Sequence, residues 1–368
     1  MLIRNKENNV NSYRLGILEG DGIGKEIVPA TVEAIDAVMR NAGHDVIEWV
    51  PLVSGWESIN RYGVPVAPEV FAELDRCDGW ILGPNDGNSY PKEIKGKSAD
   101  DGGLRKRFQL FANVRPSKNI PGVASVGSDI DLVIVRENLE GFYPEVNMYE
   151  GNAEFMTDEN TALCVGVFTR RSIDRISRYA FDLARQRRGK VTVVHKANAL
   201  RRSSGLFRRV ALEVAEEYPD VEVDERLVDA MTANLVRRPS DFDVVLTENM
   251  FGDILSDLAG ELAGSIGLSP TINAGDGVAM AQAAHGAAPD IAGQGVANPT
   301  GMMLSAAMLL EWLGDRSADP RLHDMATALD TAVRSALSRG IRTRDLGGRA
   351  TTREFTDAVI ALSQEQAA

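Results

Sequence analysis

The chain has 368 residues, 44% of them hydrophobic and 25% charged, with a formal net charge of −13 at pH 7. That length suffices for two domains or one large discontinuous unit, and the acidic balance argues against nucleic acid or an anionic membrane as partner while leaving local basic pockets open. Cys77 and Cys164 are the only cysteines and, with four histidines, show neither zinc-type spacing nor a disulfide framework; no apolar run is long enough to span a bilayer and residues 1–11 carry no apolar leader, so a cytoplasmic protein is expected.

In chain order, residues 13–18 read as a first strand, ended by Gly20-Asp21-Gly22-Ile23-Gly24. Residues 25–42 carry apolar positions at helical spacing (Ile27, Val28, Val32, Ile35, Val38), and residues 46–50 read as a second strand. Further apolar strands are expected at 79–82, 131–135, 190–194 and 242–247, with helices at 173–185, 207–218 and from 249 onward. Strands alternating with helices indicate an α/β fold. Residues 149–164 are polar and irregular, either an extended arm or a lid.

The spacing Gly20-x-Gly22-x-Gly24 between a strand and a helix invites a dinucleotide-binding reading, but that fingerprint needs G-x-G-x-x-G and an acidic residue closing the second strand. Here the third glycine comes one position early and Glu48 lies inside the second strand, so a tight turn feeding a helix stands as the equal alternative. The most informative segment is Glu248-Asn249-Met250-Phe251-Gly252-Asp253-Ile254-Leu255-Ser256-Asp257. Asp253 and Asp257 are four apart, hence on one helix face. They are either solvated acids or ligands for a hard cation such as Mg²⁺ or Mn²⁺. Arg105, Arg115 and Arg136 stand at the ends of regular elements, where guanidinium groups can clamp carboxylates. Tyr143 follows a glycine turn and is an active-site acid or a core residue. Lys196 ends a buried strand in His195-Lys196-Ala197-Asn198, an unusual place that suits a tuned base. Asp229 is a candidate third metal ligand. The small-residue loop from His285 to Gly293 lets backbone approach a nucleotide closely.

Together these motifs resemble the β-decarboxylating dehydrogenase family, which holds the isocitrate, 3-isopropylmalate, homoisocitrate, tartrate and D-malate dehydrogenases. The similarity runs from Gly20 to Asp345-Leu346-Gly347-Gly348. It implies the isopropylmalate-dehydrogenase-like fold rather than a Rossmann fold: two α/β domains around a central cleft. The large, mainly nucleotide-binding domain would comprise residues 1–110 and 264–368. A small dimerisation domain would comprise residues 111–263, with residues 149–164 clasping a second copy. The resemblance further implies that Arg105, Arg115, Arg136 and Asn198 bind substrate. Asp253 and Asp257 would hold Mg²⁺ or Mn²⁺ with Asp229 of the neighbouring copy, Lys196 of that neighbour would deprotonate the substrate hydroxyl, and Tyr143 would protonate the product carbon. His285, Gly286, Ala288, Pro289, Asp290, Ile291 and Asn298 would hold the nucleotide. Asp290 can accept hydrogen bonds from the adenosine ribose but repels a 2′-phosphate, which favours NAD over NADP. The expected reaction is oxidative decarboxylation of a 3-substituted malate, with 3-isopropylmalate first and D-malate, tartrate, homoisocitrate and isocitrate open.

Three positions depart from the family pattern: Gln282-Ala283-Ala284 where Glu-Pro is usual, Ala287 for serine or threonine, and Leu139 for threonine. Ser98-Ala99-Asp100-Asp101-Gly102-Gly103 replaces the leucines that pack an isopropyl group. Two rival classes are a catalytically silent regulatory subunit, which would lose residues this chain keeps, and a non-decarboxylating 2-hydroxy-acid dehydrogenase, which would need the intact glycine fingerprint.

Overall fold

A computed structural model of the protein describes residues 12–94, 101–143, 148 and 153–367. The N-terminal residues 1–11, the start of the substituted segment (98–100) and residues 149–152 of the expected arm lie outside the described residues. The first elements are β1 (Tyr13–Leu18), α1 (Gly24–Asn41), β2 (Ile47–Leu52), α2 (Gly55–Tyr62), α3 (Pro68–Leu74), β3 (Gly79–Leu82), α4 (Asp101–Arg107), β4 (Ala112–Lys118) and β5 (Asp131–Glu137). A hairpin of β6 (Glu154–Asp158) and β7 (Thr161–Cys164) comes next, then α5 (Arg170–Arg185), β8 (Lys190–His195), α6 (Ser203–Ala215), β9 (Glu222–Leu227), α7 (Val228–Arg237), β10 (Val244–Thr247) and α8 (Asn249–Ala263). The chain closes with β11 (Ile272–Ala274), β12 (Ala279–Ala281), α9 (Thr300–Ser317), α10 (Pro320–Ser338) and α11 (Thr352–Ala367).

A 10-stranded sheet runs in the order β2-β1-β3-β12-β11-β4-β5-β10-β8-β9. The first four strands are mutually parallel, as are the last four, and antiparallel β11 and β4 join the two sets. Strands of a parallel sheet covered on both faces read as continuous apolar runs. That is why Gly79–Leu82 and Val244–Thr247, buried at every residue, stand out in the sequence. Helix α9 is buried on most of its circumference, packing against both β12 and α10. Helix α10 starts with Asp319 accepting the Arg321 N–H and with Pro320 in its first turn, where a missing N–H costs nothing.

Every strand expected from the apolar runs is present, with ends displaced by a few residues. Strand β4 has no such signal because it carries Arg115 and Pro116. Pro116 lies past Val114, the last β4 residue paired with β11, so it falls where β4 has one neighbour only, the setting in which strands tolerate proline. β9 is too polar (Glu222, Asp224, Glu225, Arg226) and β11 and β12 too short to be read from pattern. Residues 154–164 are not irregular but form the β6–β7 hairpin, exposed along its length.

The glycine loop after β1 resolves as the tight turn. Gly22 has φ +54°, and a Cβ there would lie 2.0 Å from the Ala287 carbonyl oxygen, which also accepts the Ile23 N–H at 2.9 Å. The loop therefore docks the small-residue segment around Ala287 against the start of α1. We expect Gly22→Ala to destabilise the protein by about 1–3 kcal/mol, since it adds both strain and a clash; equilibrium unfolding would show it, and a neutral effect would mean that the two loops do not pack.

Glu137, at the end of β5, is 3% exposed and accepts the N–H groups of Leu139 and Glu140. Burial pushes its carboxyl up to about 7, only partly offset by those two donors. A raised acid stabilises the fold below its unfolded pKa and loses that contribution as pH rises through its folded value. Glu137→Gln should therefore gain on the native chain between pH 5 and pH 8, by up to roughly 3 kcal/mol. Thermal unfolding at the two pH values measures it; a gap independent of pH would show a normally ionised Glu137.

Candidate active site

The parallel half of the sheet that contains β5 sets out one group of chemical residues by register alone. Thr247 pairs with Arg136 on one side and with Val194 on the other, and His195 pairs with Leu227. Arg136, the Glu248-Asn249 start of α8, Lys196 and Asp229 thus follow one another at the carboxyl ends of adjacent strands, where α/β sheets bind ligands. Neighbouring strands lie about 4.8 Å apart, so Lys196 is two spacings, on the order of 10 Å, from Arg136.

Helix α8 crosses over this edge with three distinct faces. Leu255, Ala259 and Leu262 are buried in the core, Met250 and Ile254 are exposed, and Asp253 and Asp257 point at β4 and β5. Gly252 permits the close approach, because a Cβ there would lie 2.6 Å from the Arg136 Cβ. Arg136 binds Asp253 through Nη1 and donates through Nε to Asn249 Oδ1 at 2.8 Å. Arg115 Nη1 lies 3.3 Å from Asp253 Oδ1 and 3.2 Å from Asp257 Oδ1, and donates to Ser256 Oγ at 2.9 Å; its Nε donates to Asn113 Oδ1 at 2.7 Å. The Tyr143 hydroxyl donates to Asp253 Oδ2 at 2.6 Å, and its ring lies 5.3 Å from the Arg136 guanidinium carbon. Beneath the arginines, Asn113 and Asn138 both donate to Asn273 Oδ1.

The electrostatics follow from burial. Burial raises the Asp253 carboxyl, but Arg136, the Tyr143 hydroxyl and Arg115 outweigh it and hold it below the usual range. The Asp257 carboxyl is raised by burial, which Arg115 does not fully offset. Burial lowers both Arg115 and Arg136, the latter to about 10, so both stay charged at neutral pH. Among the described residues, the Arg105 side chain makes a long 3.4 Å hydrogen bond to the neutral Gln282 side chain, and its buried Nε has no partner there. Arg115 and Arg136 contact the two carboxylates and Arg105 acts on Asp253 through its charge, a surplus of positive charge suited to an anionic ligand. The carboxylate oxygens of Asp253 and Asp257 are a hard donor set that could hold Mg²⁺ or Mn²⁺. Arg115, a cation already lying between them, shows that a positive charge fits this position.

Lys196 and Asp229 pair with each other, and the lysine holds the Asp229 carboxyl below its usual range. The Asp229 side chain is 64% exposed. Among the described residues, no hydrogen bond or ion pair joins Lys196, Asp229 or the exposed Asn198 to the Asp253 cluster. The single chain therefore brings Arg105, Arg115, Arg136, Tyr143, Asp253 and Asp257 together and holds Lys196, Asp229 and Asn198 apart from them. Sequence reasoning assigned no role to Asn249, Ser256, Gly252 and Asn273; the first three lie in the segment it singled out, whereas nothing local marks Asn273.

A separate cleft of about 460 Å³ is lined by His285, Gly286, Ala288, Ile291 and Asn298, with Ile23, Gly267, Arg344 and Asp345 among the other walls. Pro289 and Asp290 are exposed on the same loop. Ala288 adopts φ +39°, uncommon for a residue with a side chain. Burial lowers the His285 pKa, so its ring is neutral at pH 7, and its Nε2 is buried without a partner among the described residues. Asn298 is fixed at both ends: it donates to Asp345 Oδ2 at 2.9 Å and accepts the Thr300 N–H at 3.0 Å. Asp345 is a cleft residue that the sequence alone did not single out for this role.

The sequence pattern of the isocitrate/isopropylmalate dehydrogenases matches residues 14–359. An isocitrate/homoisocitrate dehydrogenase of Thermus thermophilus is 40% identical over 350 residues, covering 95% of this chain and 98% of that protein. A 3-isopropylmalate/3-methylmalate dehydrogenase of Methanocaldococcus jannaschii is 37% identical, covering 96% of this chain and 100% of that one. The crystal structure of an isocitrate dehydrogenase from Methylococcus capsulatus superposes with a TM-score of 0.85 at 37% identity, over 96% of this chain and 99% of its own. With the fold and the arginine–aspartate cluster in place, the chain belongs to the isocitrate/isopropylmalate dehydrogenase family and is a β-decarboxylating oxidoreductase acting on the CH–OH group of a hydroxy acid.

Proposed function

We propose that this protein carries out the NAD-dependent, divalent-metal-dependent oxidative decarboxylation of a 3-substituted malate, as a homodimer with shared sites in the cytoplasm. The observation that carries this reading is the convergence of Arg115, Arg136 and Tyr143 on the Asp253–Asp257 face of α8. Arg105, Arg115 and Arg136 bind the two malate carboxylates. Asp253 and Asp257 would hold the metal, together with Asp229 of a second copy, and the bound cation would lower the pKa of the substrate hydroxyl and neutralise charge that develops on the adjacent oxygens. Lys196 of that second copy takes the hydroxyl proton, and Tyr143 returns a proton to carbon after CO₂ departs. The His285–Asn298 cleft would hold NAD, which would supply the hydride acceptor, and Asp290 would accept hydrogen bonds from its ribose hydroxyls.

The separation of Lys196 and Asp229 from the Asp253 cluster within one chain supports the shared site. So do the exposed apolar side chains of Met250 and Ile254 on α8, Val236 on α7, and Phe155, Met156 and Leu163 on the hairpin, which a second copy would cover. We further read the ten-stranded sheet as two domains joined at β11–β4, with the five strands from residues 111–263 on one side. The substituent at C3 is small or polar in this reading, ahead of isopropyl. Leu104, beside Arg105, is fully buried in the core and gives the substrate no apolar cover, and Gly103 has no side chain to offer.

NADH formation with Mn²⁺ should be fastest on one member of a panel of D-malate, 3-methylmalate, tartrate, homoisocitrate, isocitrate and 3-isopropylmalate. A clear preference for 3-isopropylmalate would overturn the small or polar substituent, and no turnover on any, with Mn²⁺ bound, would move weight to a silent subunit. Mixing inactive Lys196→Ala and Tyr143→Phe variants should restore part of the activity, because one site of each heterodimer keeps both groups; no recovery after verified subunit exchange would refute shared sites. Asp290→Ala should raise KM for NAD by about 10- to 100-fold, the worth of one or two charge-assisted hydrogen bonds. An unchanged preference for NAD over NADP would remove Asp290 from cofactor selection.

A further inference from the structure

We propose that Glu248, acting through the Ser204 hydroxyl, is a positioning residue for Lys196; this rests on the reading of Lys196 as the base. Lys196 leaves the end of β8, and its backbone N–H donates to Ser204 Oγ at 2.6 Å. The Ser204 hydroxyl in turn donates to Glu248 Oε1. Ser204 is 0% and Glu248 3% exposed. The Lys196 carbonyl is also engaged, accepting the N–H groups of Ala199 at 3.1 Å and Leu200 at 2.9 Å, so its backbone is held on both sides.

The chemistry of a hydroxyl makes Glu248 the deciding partner. A serine has one proton and two lone pairs. With the proton committed to Glu248, a lone pair is left aimed at the Lys196 N–H. Without an acceptor at Glu248 the hydroxyl turns elsewhere and the loop loses its fixed point. The lysine side chain itself is long and rich in rotamers, so the place of its amine depends on the backbone it hangs from and on Asp229. A buried carboxyl is costly in a fold that could close this gap with an apolar side chain. Glu248 also stands at the start of α8, where its carbonyl accepts the Gly252 N–H at 2.8 Å. The same residue therefore ties the Lys196 loop to the helix that carries Asp253 and Asp257. Adjacent backbone reinforces the tie, since Thr247 Oγ1 donates to the Val194 carbonyl at 3.0 Å.

The test compares Ser204→Ala, Glu248→Gln, Glu248→Met, Lys196→Ala and the Ser204→Ala/Lys196→Ala double variant in the full-length protein. With the best substrate of the panel, Ser204→Ala and Glu248→Met should lower kcat by roughly 10- to 100-fold, the effect of a displaced catalytic group, with KM changed by less than about twofold. Glu248→Gln keeps an acceptor oxygen and should stay within about threefold of the native kcat. In the Lys196→Ala background, Ser204→Ala should cost nothing more. Hydrogen exchange gives a readout that needs no substrate: Glu248→Met should speed exchange of the Lys196 amide at least about tenfold, and Glu248→Gln should not. If Ser204→Ala does not fold, the Glu248→Met and Glu248→Gln contrast carries the test. An unchanged kcat in Ser204→Ala, or a full extra loss in the double variant, overturns the positioning role while Lys196 stays the base. Native kcat in Lys196→Ala removes the base itself, and Glu248's role with it.

Discussion

The half-buried carboxylate of Asp253 is the point on which the site depends. Two guanidinium groups, Arg115 and Arg136, are almost wholly removed from water, and charges so placed persist only beside compensating charge and complete hydrogen bonding. Asp253 supplies that charge to both, and Tyr143 occupies its other oxygen. Remove the carboxylate and two buried cations face each other. The cluster is therefore cooperative: α8 must lie close on β5 for Arg136 to reach Asp253, and the absent side chain of Gly252 allows that distance.

The sheet explains why this cluster can form and why it is incomplete. β4 and β5 run antiparallel, so Arg115 from one strand and Arg136 from the next reach α8 from below at neighbouring heights. The parallel strands beyond β5 carry Lys196 and Asp229 further along the same edge. Strand spacing is set by backbone hydrogen bonding, so these groups start two or more strands from Arg136, and Lys196 pairs with Asp229 instead. Under the proposed shared site, a second copy seated on the exposed apolar face of α8, α7 and the hairpin would supply those groups to each cluster. The cleft around His285 and Asn298 is built separately, by the docking of the Ala287 segment onto the glycine turn after β1, and Asp345 and Thr300 fix the Asn298 amide within it.

Much of this was legible without coordinates, for identifiable reasons. The strands buried on both faces announced themselves as unbroken apolar runs, and α8 by its Asp253–Asp257 spacing. Arg115 and Arg136 were read as standing at the ends of regular elements; that holds for Arg136 near the end of β5, whereas Arg115 lies in the middle of β4. β4, β9, β11 and β12 were not legible: a strand with Arg115-Pro116 in its middle, a mostly charged strand and two three-residue strands owe their extended state to their neighbours rather than to their own composition.

The sequence by itself determined the buried apolar strands and the periodic helices, the chemistry of the groups and the family, because periodicity, residue type and motif order are properties of the chain. Only the tertiary structure decided which groups meet. It put Ser256, Asn249 and Asn113 around the arginines, left Arg105 facing the neutral Gln282, turned Leu104 into the core, and kept Lys196 with Asp229 rather than with Asp253. Those outcomes depend on sheet order and strand register, which arise from contacts between residues distant in sequence and are written in no single segment of it.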